Sequence, residues 1–258
     1  MKNTAFVMKR PSVFWLMTEA VRAVTELGVS YPYQKIYNKT PKGDGHPVLI
    51  LPGFLASKHS TKVLRNFVNK AGYTAYDWGI ERNWGKIEYL PFLIQRIEEL
   101  HQKHNQQVTL IGWSLGGVFA RQIAKERPNL TRQIITLGSP FLDIAKPNNI
   151  AWLHTLLNRG KTAKELHPHL LTNLPLPAPV PTTAIYSKED GIVPWKACME
   201  KEVDHLHQNI QVHGSHCGLG MNSSVLHIIA DRLQYSKENW QHFEAKGYFE
   251  GLFLYPSL

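Results

Sequence analysis

Only two cysteines, Cys198 and Cys217, occur in the 258 residues. That is too few for a disulfide framework, and their spacing fits no metal motif. No run of about 18 apolar residues occurs, so nothing in the chain reads as an ordinary transmembrane helix. Acidic residues are scarce, 20 against 29 Lys and Arg, and the formal charge is +9. The basic residues are nonetheless scattered and not interleaved with aromatics, which argues against a nucleic-acid groove. A basic surface of this kind suits solubility, acidic substrates or peripheral contact with an anionic membrane. There is no internal repeat. What remains is an ordinary globular balance, 43% hydrophobic and 19% charged, at a length that one α/β domain can use.

Near the N-terminus, Lys2, Lys9 and Arg10 precede Val13 to Met17 in the manner of a weak signal peptide. Glu19, Arg22 and Glu26 interrupt the apolar run, however, and no small-residue cleavage site follows. An amphipathic helix from about Ser12 to Leu27 fits better, with Phe14, Met17, Val21 and Val24 at helical spacing. A cytoplasmic location is the matching expectation.

Further on, Tyr31 to Tyr37 reads as an early strand, and Val48 to Leu51 as a buried parallel strand between two prolines. Helical spacing predicts helices over Ser60 to Ala71, Ile87 to Lys103, Leu115 to Arg127 and Ser223 to Gln234. Strands are expected at Tyr73 to Trp78, Val108 to Trp113, Gln133 to Leu137, Thr182 to Tyr186 and Ile210 to Val212. Such alternation implies βαβ units and a mostly parallel central sheet with helices on both faces. One domain, 1–258, accommodates all of it. Residues 1–45 form an N-terminal helix and lead-in, 141–181 a strandless insertion ending in PLPAPVP, and 236–258 an aromatic tail.

Gly112-Trp113-Ser114-Leu115-Gly116 matches G-x-S-x-G, with an apolar strand feeding into it and a helix leaving it. A nucleophile elbow requires that context. Glycines allow the tight turn, the serine hydroxyl stands above the sheet, and the positive end of the helix faces developing negative charge. The competing reading is a serine that merely caps the helix.

HPVLILPGFLAS at 46–57, GWSLGG at 112–117, TLGSPF at 136–141, SKEDGIVP at 187–194 and GSHCGLGMN at 214–222 together resemble the α/β-hydrolase superfamily. The likeness is greatest to its lipase- and esterase-like members. The resemblance implies a Ser…Asp/Glu…His order. His216, in a Gly-rich loop between the last strand and the last helix, is the expected base, with His213 as its rival. Asp190, in the turn after the strand Thr182 to Tyr186, is the expected acid, ahead of Asp143 and Glu189; its bland role would be to shape that turn. Backbone N–H groups of Leu115 and Phe54 are the expected oxyanion donors, although a Pro–Gly pair after a strand also suits an ordinary turn.

The implied reaction is hydrolysis of a small-molecule or lipid ester through an acyl-enzyme on Ser114, without metal or cofactor. Acyl transfer or thioester cleavage by the same triad remains open, as does a non-catalytic binding relative of the fold. The insertion 141–181, with Trp152, Leu153, Leu156, Leu166, Leu170 and Leu174, reads either as a helical lid over the site or as packing against the core.

Overall fold

Val48 to Leu51 and Val108 to Trp113 are apolar without alternation, the mark of strands covered on both faces. In the computed structural model, which describes residues 9–37, 43–142 and 173–245, both are wholly buried inner strands. Among the described residues, six strands form one sheet: β1 (Pro47–Leu51), β2 (Thr74–Asp77), β3 (Val108–Trp113), β4 (Thr131–Leu137), β5 (Thr182–Ser187) and β6 (His207–Val212). Their order is β2-β1-β3-β4-β5-β6, and every pairing is parallel. The pleat sorts each strand between two cores. Val48 and Ile50 join Leu64, Phe67, Leu226 and Ile229 on one face; these come from α2 (Lys62–Lys70) and α5 (Ser223–Arg232). Leu49 and Leu51 join Leu93, Ile97, Phe119 and Ile123 on the other, supplied by α3 (Tyr89–His104) and α4 (Leu115–Glu126).

Two expectations need correction. Tyr31 to Tyr37 is not a strand: one helix, α1, runs from Val13 to Tyr37 with Pro32 inside it. Tertiary contacts override the strand propensity of the aromatic run, since Tyr33 packs on Phe67 and its hydroxyl lies 3.1 Å from His227 Nδ1. The last strand is longer than Ile210 to Val212. His207, Gln208 and Asn209 extend it while fully buried, because each finds partners: Ala178 O for His207, Thr183 Oγ1 for Gln208, and the Glu200 backbone for Asn209. Burial of polar side chains is tolerated on those terms, and no apolar pattern announces it.

The contacts of α1 set its direction. Phe14, Met17, Val21 and Val24 face outward, with exposures of 64–79%, while Glu19 is buried at 5%. The helix rests its polar face on α5 and on the short turn His216–Gly218. A hydrophobic stripe fixes a helix but not what lies opposite it.

Most of the 141–181 segment, 143–172, lies outside the described residues. Of the remainder, Phe141, Leu142 and Leu174 pack with Val118 and Ala184. In the tail, Phe243 is buried and its N–H donates to Gln208 Oε1; residues 246–258 lie outside the described residues. Among the described residues, no helix is long and apolar enough to cross a membrane.

Candidate active site

Because all six strands run parallel, the segments leaving β3, β5 and β6 emerge at one edge, where open α/β sheets place their ligands. Ser114 leaves β3 there and opens onto α4 with φ 53° and ψ −122°. A side chain seldom accepts a positive φ, and such strain gathers at functional positions. The turn is held by Ser114 N–H donating to Leu137 O at 2.8 Å and Gly117 N–H donating to Ser114 O at 3.0 Å. It leaves no room for side chains beside it. A Cβ on Gly112 would sit 2.2 Å from Gly117 Cα, and one on Gly116 would sit 2.2 Å from Leu51 O.

Ser114 and His216 line one cavity of about 190 Å³, together with Gly53, Phe54, Ala56, Ser60, Trp113, Ile192 and Cys217. His216 Nδ1 lies 2.5 Å from Asp190 Oδ2, and both residues are buried. The other Asp190 oxygen accepts from Ile192 and Val193 N–H, each at 2.8 Å. The carboxylate is thereby fixed, and it sets the imidazole tautomer with the proton on Nδ1 and Nε2 left as acceptor. Burial opposes protonation of His216, yet the Asp190 charge and hydrogen bond, with Glu19 behind them, hold its pKa above the ordinary histidine value. Trp113 Nε1–H donates to His216 O at 2.9 Å and ties the His216 loop to the turn at Ser114.

The rival candidates lie elsewhere. His213 is exposed and pairs with Glu189 at 2.7 Å, and neither lines the cavity. His205 is exposed, and His207 and His227 are engaged in packing contacts. Asp143 lies outside the described residues. Cys217 shares the cavity, but burial and then the Glu19 carboxylate push its thiol up to about 12, so no thiolate is present at neutral pH. A larger cavity of about 380 Å³ between α5 and the tail, lined by Asp231, Arg232, Tyr235 and His242 among others, contains neither Ser114 nor His216.

Of the two expected oxyanion positions, Leu115 begins α4, where N–H groups precede the first intrahelical bonds. Phe54 lies in the loop after β1, which passes close enough that a Cβ on Gly53 would sit 3.1 Å from Ser114 Cβ. Sequence reasoning missed what braces this loop. Buried Asn83 donates from Nδ2 to Pro52 O at 2.8 Å, its carbonyl accepts from Leu55 N–H, and its N–H donates to Ala56 O. Sequence reasoning also missed Glu19 and Glu26 on α1, whose carboxylates reach the loops carrying Asp190 and His216. In the sequence both stand only as interruptions of an apolar run, and no spacing links them to residues almost two hundred positions away.

The architecture is that of an α/β-hydrolase. A family model described as PGAP1-like alpha/beta domain matches residues 81–165. Among solved structures, Aspergillus fumigatus lipase B superposes with a TM-score of 0.56 at 16% identity, over 75% of this chain and 53% of that one. This chain thus spans about half the length of that lipase. Paleococcus ferrophilus monoacylglycerol lipase gives 0.55 at 13% identity, over 74% of this chain and 96% of that one. A thioesterase domain from the curacin biosynthetic pathway gives 0.51 at 15%, over 76% and 93%. No curated protein matches the chain by sequence.

Proposed function

We propose that the chain is a serine hydrolase that cleaves a carboxylic ester through an acyl-enzyme. The observation that carries this reading is a strained serine and a carboxylate-fixed imidazole facing one cavity. Ser114 Oγ attacks the ester carbonyl while His216 Nε2 takes its proton, and Asp190 stabilises the resulting imidazolium. The N–H groups of Leu115 and Phe54 hold the carbonyl oxygen as it becomes negative. His216 then gives its proton to the departing alcohol, leaving Ser114 acylated. Water, deprotonated by His216, attacks the acyl-enzyme, releases the acid and restores the serine.

A fluorophosphonate probe is expected to label the wild type and not Ser114→Ala. A folded wild type that neither labels nor hydrolyses any ester would leave the non-catalytic binding role. Thioester cleavage is the second reading, supported by the thioesterase domain among the structural neighbours. Paired oxygen esters and thioesters of one acyl group distinguish the two by kcat/KM.

The lining supplied by Phe54, Ala56, Trp113 and Ile192 favours an apolar acyl group. The outward apolar face of α1, on a chain of charge +9, supports docking on an anionic lipid surface. Substrate would then reach Ser114 from that surface.

A further inference from the structure

The loops carrying Asp190 and His216 meet at the 2.5 Å contact between those side chains, and a carboxylate from α1 also bridges their backbones. Glu19 Oε1 accepts from Gly191 N–H at 2.8 Å and from His216 N–H at 3.0 Å, and Oε2 accepts from Cys217 N–H at 2.9 Å. Arg22 pairs with Oε1 at 3.0 Å. About two turns along the helix, Glu26 takes Ser215 N–H at 2.7 Å and Asn222 Nδ2 at 3.0 Å. Three successive backbone N–H groups, 215 to 217, are thus held by two side chains of one helix. The loops are shaped to receive it. A Cβ on Gly191 would sit 2.4 Å from Leu16 N, and one on Gly218 would sit 2.3 Å from Glu26 Oε2.

We infer that Glu19 is a positioning residue for the proposed Ser114–His216–Asp190 machinery, fixing the acid and base loops against each other and placing a second negative charge behind the imidazole. This inference rests on the ester-hydrolase reading. One oxygen bridges the backbones of Gly191 and His216, so Glu19 adds a backbone brace to the direct Asp190–His216 hydrogen bond. Hydrogen bonds from backbone N–H to a carboxylate are among the stronger kind and impose direction. The charged groups around the His216 ring are Asp190 from the acid loop and Glu19 from α1, the latter shared with Arg22; neighbouring Cys217 is neutral. Glu19 therefore favours the imidazolium that forms during attack, without touching substrate.

Glu19→Gln keeps the shape and one accepting oxygen but removes the charge; Glu19→Ala removes both. With rates expressed per site titrated by fluorophosphonate, kcat is expected to fall about 10²-fold in Glu19→Ala, as for a misplaced catalytic group. The loss in Glu19→Gln is smaller, and KM for a small soluble ester stays the same. The acid limb of kcat/KM moves to lower pH in Glu19→Gln, and Glu19→Asp brings it back. A variant with lowered melting temperature but wild-type kcat per site and an unmoved acid limb would make Glu19 a fold-stabilising residue and overturn the inference. Where Glu19→Ala does not fold, Glu19→Gln decides. If the wild type is inactive on every ester, the ester-hydrolase reading fails by itself. NMR titration of the His216 ring in wild type and Glu19→Gln then still tests the positioning role, and identical titration curves would defeat it.

Discussion

Ser114 holds a backbone conformation that its own side chain disfavours, and the neighbours that impose it are backbone atoms of β4 and of its own turn. The loop facing it is similarly imposed, with Leu55 at φ 62° and Asn83 holding both ends of the bend. Asn83→Ala leaves the Pro52 carbonyl without its donor in a buried site, a loss of about 1–3 kcal/mol. It also loosens the Pro52 end of the loop that carries Phe54, whose backbone bonds to residue 83 remain, so kcat is expected to drop, by up to about 10²-fold, with little change in KM. Denaturant unfolding and steady-state kinetics on a soluble ester measure the two effects separately. A destabilised variant with full kcat would detach Asn83 from the proposed oxyanion site. Ser114 was legible in the sequence because strand, turn and helix are contiguous there. Asn83 was not, because its role depends on a hydrogen bond across the gap to a separate loop.

At the scale of elements, α1 carries the largest disagreement between pattern and placement. Its 3.6-residue periodicity predicted a helix, and the helix forms. The same periodicity suggests that the apolar side is the buried one, and here the carboxylates of Glu19 and Glu26 decide otherwise. Backbone N–H groups of the base loop need acceptors, and these two side chains supply them from the polar side. The stripe left outside is the surface proposed for lipid contact. Met17→Asp with Val21→Asp is expected to leave the melting temperature within a degree or two, since both side chains are exposed. The pair should abolish sedimentation with phosphatidylserine vesicles and leave kcat on a soluble ester intact. Wild-type protein that stays in the supernatant would exclude the lipid contact.

At the scale of the whole molecule, a pH-dependent linkage lies far from the Ser114–His216 cavity, where the chain enters β1. His46 is fully buried, with Nδ1 2.6 Å from Asp44 and Nε2 2.9 Å from Thr109 Oγ1 on β3. Burial, and then the Arg132 charge, lower its pKa to about 4 against the Asp44 attraction. The unfolded chain takes up this proton near pH 6.5 and the folded one does not. The resulting stability is therefore complete above about pH 6.5 and is lost as pH falls toward 4, up to about 3 kcal/mol. His46→Gln should flatten that slope in urea titrations between pH 4 and 7; an unchanged slope would place the acid sensitivity elsewhere. By itself the sequence determined the inner strands β1, β3 and β5 and the strand–turn–helix at Ser114, because each is a local pattern of burial or of turn geometry; the pairing of Asp190 with His216 was an expectation carried by the resemblance. The sequence shortened β6, whose buried polar residues look like surface, and it read Tyr31 to Tyr37 as strand. Only the tertiary structure decided which face of α1 turns inward, which histidine meets Asp190, and which carboxylate holds their loops. Those outcomes depend on which N–H group finds which oxygen across long stretches of chain, and periodicity records burial, not partners.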